Sequence, residues 1–68
     1  MAAYFVNSNA QSNGDHEVHQ AGYSYMPDPK HCILLGDFPS CHGAVARAKL
    51  TYPPADGCAY CCPLCNTG

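Results

Sequence analysis

The chemistry of this chain is concentrated in its tail, which reads Gly57-Cys58-Ala59-Tyr60-Cys61-Cys62-Pro63-Leu64-Cys65. Two C-x-x-C units stand back to back. This spacing folds a tight turn in which two thiolates converge on a tetrahedral ion, with backbone amides left free to hydrogen-bond the sulfurs. Gly57 and Pro63 are the turn residues such a knuckle needs. A second pair of ligands must come from elsewhere, and the candidates are His16, His19, Cys32 and Cys41.

His16-Glu17-Val18-His19 comes close to the H-E-x-x-H motif of zinc proteases, but its histidines are three apart rather than four. The segment also reads as a strand, where residues three apart face opposite sides, so one histidine faces inward and the other solvent. A protease site is therefore excluded. No residues form a nucleophile–base–orienter set, a paired-carboxylate site or a phosphate-cradling loop, and no enzymatic activity is expected. Asp15 and Glu17 read as a polar hairpin face, and His31 and His42 as solvated surface residues. A redox-active C-x-x-C usually sits in a βαβ unit, for which the chain is short.

The elements that must position these groups follow from local patterns. Ala2–Val6 and Asp15–Gln20 flank an Asn/Ser-rich stretch ending Asn13-Gly14, which predicts an antiparallel hairpin with a longish loop. Met26-Pro27-Asp28-Pro29 turns or runs extended, linking the hairpin to the next strand. The aliphatic run Ile33-Leu34-Leu35 within His31–Leu35 suits a short strand covered on both faces, at the centre of the sheet. Ser40 can cap a helix running to about Tyr52, where Pro53-Pro54 forbids continuation. Cys41, Val45 with Ala44, Ala48 and Tyr52 then share one face, which turns Cys41 inward. Asp56-Gly57 makes a turn before Cys58. Tyr4, Tyr25 and Tyr52 are expected in core or edge packing. The fold class is α+β: one domain over residues 1–68, a hairpin plus a third strand with one helix across it, closed by a Cys-rich knuckle.

The chain has 68 residues, and only eight are Val, Ile or Leu, so its core is thin and a covalent or metal cross-link is the natural supplement. The formal charge is −2, and the basic side chains are Lys30, Arg47 and Lys49 alone, which argues against a nucleic-acid surface. The opening Met1–Val6 lacks a basic n-region, and its apolar stretch stops at Asn7; neither a signal peptide nor a membrane span is expected, and the default compartment is the cytoplasm. Reducing cytosol favours zinc over disulfides for the six cysteines. Small size and an even cysteine count suit disulfides as well, and Cys41 to Cys62 or Cys65 is the natural pairing.

The order His19, a proline loop, a short strand, Phe38 with Ala44 opening a helix, then Gly57-Cys58-x-x-Cys61 resembles the Ada-type metal-binding module. There an H-x-x-x-C near a hairpin joins a C-x-x-C across a helix to hold zinc. The resemblance covers about His16 to Cys65 and selects His19 as the inward histidine. The chain also looks like a group of small bacterial Cys-rich proteins through Gly14-Asp-His-Glu-Val-His19, Leu35-Gly-Asp-Phe38, Cys41, Ala44-Val45, Ala48-Lys49 and Gly57-Cys58-x-x-Cys61. That likeness spans nearly the whole chain and brings no activity with it. Where the Ada-type pattern has its cysteine, four residues after His19, this chain has Tyr23, a poor zinc ligand at neutral pH. The fourth ligand must then come from Cys32, Cys41, Cys62 or Cys65, and the expected metal set is His19, Cys41, Cys58 and Cys61. The expected function is a structural zinc module that binds a protein partner; the alternative is a disulfide-stapled effector without metal, acting outside the producing cell.

Overall fold

The computed structural model describes residues 1–23 and 26–67; Tyr25 lies outside them. The hairpin forms as its sequence predicts, with β1 (Ala2–Asn7) antiparallel to β2 (His16–Gln20) and Val6 opposite Val18. Its loop is pinned by the Asn13 side-chain oxygen, which accepts the Asp15 amide at 2.9 Å. Gly14 takes a φ of 95° there, a left-handed conformation that glycine adopts without a Cβ penalty.

The third strand, β3 (Cys32–Phe38), pairs with β1, and the sheet order is β3-β1-β2-β4. The aliphatic strand is therefore at the edge, not the centre. Leu34 is 62% exposed and Ile33 is exposed too, whereas Leu35 packs against the core. The register explains why: Tyr4 pairs with Gly36 but Phe5 pairs with Leu34, so a bulge at Leu35 breaks the alternation. Gly36, at a φ of 125°, permits it.

The helix α1 (Cys41–Ala48) buries Cys41, Ala44, Val45 and Ala48 on one face, as their spacing predicts. It is a turn shorter than expected. The amides of Leu50 and Thr51 bond three residues back, to Arg47 and Ala48, and Pro53 biases Tyr52 away from helical backbone. Ser40 occupies the cap position in extended backbone, but its side chain makes no cap bond; its hydroxyl lies 3.4 Å from His42 Nδ1. The helix covers the sheet face carrying Tyr4, Val6 and Val18, and Tyr4 meets Phe38 edge-on.

Asp56 and Gly57 belong to a strand rather than to a turn. The short β4 (Ala55–Gly57) lies parallel to β2, with His16 opposite Ala55 and Val18 opposite Gly57. The amide of Cys58 extends that ladder to the Val18 carbonyl at 2.9 Å, so the knuckle starts directly on β2. Asp56, buried, accepts the Thr67 amide and hydroxyl and folds the chain end back over the strand.

Gly57 shows how closely the knuckle sits on β4: a Cβ there would stand 2.7 Å from Cys65 Cβ and 2.8 Å from the Cys62 carbonyl oxygen. Gly57→Ala is expected to destabilise the domain by about 1–3 kcal/mol through overpacking. Each kcal/mol lowers Tm by about 4–8 °C in a domain of this size. An unchanged melting curve would show that the knuckle does not rest on β4.

Candidate metal centre

Alternation along β2 sends its two histidines to opposite faces. His16 shares the face of Val18, beneath the helix, and is not in solvent: its ring stacks on Tyr52 at 5.2 Å and its Nδ1 lies 2.8 Å from the Asn7 carbonyl oxygen. His19 and Glu17 project from the other face. His19 is nevertheless only 3% exposed, because the knuckle folds over it from the end of β4.

The structure brings together His19, Cys58 and Cys61, all buried, with one ligand atom of each within 4.8 Å of the others. Cys61 Sγ stands 3.5 Å from His19 Nδ1. Both sulfurs also accept backbone amides at 3.4 Å, Cys58 from Tyr60 and Cys61 from Gln20. These are the amide–sulfur bonds that a metal knuckle uses to stabilise thiolate charge. On the far side of the imidazole, Glu17 Oε1 lies 3.5 Å from His19 Nε2. A carboxylate there favours the tautomer protonated at Nε2 and leaves the Nδ1 lone pair aimed at the cysteines. Glu17 thus has a role that reading it as a polar face missed. The signal was available, since residues two apart on a strand share a face.

Cys41 does not join this group. It faces inward as expected, but its sulfur is bonded to Cys65, 24 residues away, which ties the start of α1 to the 3-10 turn Pro63–Cys65. This is one of the two natural disulfide pairings, and it withdraws Cys41 from the expected ligand set. The tandem motif divides its work: Cys58 and Cys61 face His19, while Cys65 turns to the helix. Cys62 is a free thiol, buried beside Cys61. Cys32, at the opposite edge of the sheet, donates its thiol to the Pro27 carbonyl oxygen. Tyr23 is exposed, as is His42; His31 is half-buried, with Ser8 Oγ 3.4 Å from its Nδ1.

Burial sets the electrostatics. It pushes the Cys61 thiol up to about 12; the Gln20 amide pulls it back and Cys58 pushes it further up. Burial likewise raises Cys62 and lowers His19, the latter partly opposed by the charge of Glu17. The cluster alone therefore holds a neutral Cys61 thiol and a neutral imidazole. A divalent cation would reverse the preference at Cys61, since its charge ionises coordinating thiols outright and releases their protons.

No family model, curated protein or solved structure matches the chain. The geometry alone carries the functional reading.

Among the described residues, no helix is long and apolar enough to cross a membrane. One prediction arises from the Glu17 contact. Glu17→Ala is expected to weaken zinc binding about 10–100-fold, the usual effect of removing the partner that orients a ligating histidine. Competition with a chelator of known affinity measures it, and unchanged affinity would remove Glu17 from the site.

Proposed function

We propose that the chain is a structural zinc domain, in which His19, Cys58 and Cys61 hold one ion and the folded surface serves as a non-enzymatic binding module for a protein partner in the cytoplasm. The observation that carries this reading is the double placement of His19, with Nδ1 toward Cys61 and Nε2 toward Glu17 inside a buried cluster. Cys62, a buried free thiol next to Cys61 in sequence, is the remaining candidate for a fourth ligand, because Cys41 and Cys65 are bonded to each other and Cys32 is occupied across the sheet. A buried Cys/His set of this kind suits a structural ion better than a catalytic one, which keeps a coordination position open to substrate.

The test is elemental analysis of protein purified without chelator and with its Cys41–Cys65 bond intact. It is expected to carry about one zinc per chain, since Cys/His sites bind the ion tightly at neutral pH.

A second reading has its own observation behind it. The Cys41–Cys65 bond is the cross-link that a small exported domain would use, and it favours a disulfide-stapled effector without metal. A protein with no metal and no free thiols would sink the zinc reading in favour of this one.

A further inference from the structure

The Cys41–Cys65 bond has a third residue beside it. His42 follows Cys41 on the first turn of α1, and one ligand atom each from Cys41, His42 and Cys65 lie within 4.8 Å of one another. This second group shares no residue with the His19 cluster. The two differ in access: His19, Cys58 and Cys61 are all buried, whereas His42 is exposed and the neighbouring Leu64 is 84% exposed. Grooves of about 310 and 220 Å³ flank the cluster, and His42 contributes to the walls of both. Cys41 and Cys65 are themselves buried, but Cys65 lines one groove and Cys41 the other, so an ion or a reductant reaches the sulfurs along these grooves past His42.

We propose that reduction of the Cys41–Cys65 bond turns this end of the molecule into a second site for a thiophilic divalent ion of the zinc class. The disulfide takes up two electrons and two protons and becomes two thiols: a dithiol supplies both and closes to its own disulfide, whereas a phosphine supplies the electrons and becomes its oxide, with water supplying the oxygen and both protons. The ion then displaces both thiol protons to solvent and is held by Cys41, Cys65 and His42, with water in the fourth position, a ligand set known for zinc. The Cα atoms of the pair are 6.3 Å apart. Two thiolates about 2.3 Å from a tetrahedral ion require sulfurs about 3.8 Å apart, which side-chain rotation supplies without moving the helix. The Ser40 hydroxyl, 3.4 Å from His42 Nδ1, gives the ring an orienting neighbour. Metal content then reports redox state: the His19 site holds its ion in both states, and the His42 site fills only under reducing conditions.

The experiment compares zinc content of the full chain in two states after equilibration with zinc chloride and gel filtration. One is fully reduced by a phosphine; the other is oxidised to four free thiols, as Cys32, Cys58, Cys61 and Cys62 remain unpaired. About two ions are expected in the first state and about one in the second. The proposal rests on this difference, so one ion reduced and none oxidised would support it while sinking the His19 site. Equal counts in the two states would overturn it. His42→Ala changes an exposed side chain and is expected to keep the melting curve while the reduced protein loses its second ion. Retention of that ion by His42→Ala would also overturn the assignment.

Discussion

Cys61→Ser is expected to lose zinc and fold together, and Cys58→Ser and His19→Ala to do the same. Each change removes one proposed ligand from the buried cluster, and the expected size follows from comparing two energies. Structural zinc sites contribute about 10–16 kcal/mol of apparent binding energy at neutral pH. A domain of this length has a total stability of only about 3–10 kcal/mol at typical values per residue. Weakening the ion therefore removes a share of stability that the thin core cannot replace. The control is His16→Ala, on the opposite face of the same strand. It gives up stacking on Tyr52 and the contact with the Asn7 carbonyl oxygen, which costs about 1–2 kcal/mol, but it is expected to keep the zinc. Zinc content and Tm measured on both histidine variants decide the matter. If neither changes zinc content, His19 is not a ligand. The effector reading expects a different pattern: mild effects at both histidines and matched losses at Cys41 and Cys65.

How much of this was legible beforehand depended on whether a feature is local. The hairpin was, because Asn13-Gly14 between two strand-like segments carries its own turn chemistry. The buried face of α1 was too, since a 3.6-residue period fixes which side chains share a side. That period gives the direction of Cys41 but not the sulfur it meets, which is why Cys41 could be expected both in a metal set and in a disulfide. Strand order was not legible: Ile33-Leu34-Leu35 suggested a central strand by composition, yet pairing with β1 and a bulge at Leu35 put it at the edge. Ala55-Asp56-Gly57 has little strand preference and becomes β4 only because β2 offers a free edge beside it. The knuckle motif identified Cys58 and Cys61, while selection of His19 over His16 rested on resemblance. In the structure the distinction comes from strand alternation and from the side on which the knuckle folds.

The helix supplies the other large effect, and it does not depend on metal. Val45 sits in the cluster that joins α1 to Val6 and Val18 on the sheet and is 8% exposed. Val45→Asp forfeits the burial of a valine side chain, about 1.5–3 kcal/mol, and sets a carboxylate against an apolar face. The cation at helical spacing is Lys49, one turn on at the C-cap, since Arg47, two residues away, does not share that side of the helix. An exposed pair of that kind returns no more than about 0.5 kcal/mol, too little to offset desolvation of the charge. The combined loss, more than about 4 kcal/mol, falls within the range of the whole domain's stability, so the chain is expected to be unfolded at room temperature. Val45→Thr separates charge from shape, because it keeps the branched outline and adds only a hydroxyl; it should fold with a lowered Tm. Circular dichroism of the two variants reads the result directly. A Val45→Asp protein that melts like the parent would mean that this face of α1 does not pack on the sheet, and the Cys41–Cys65 tie at the helix start would then lose its structural rationale.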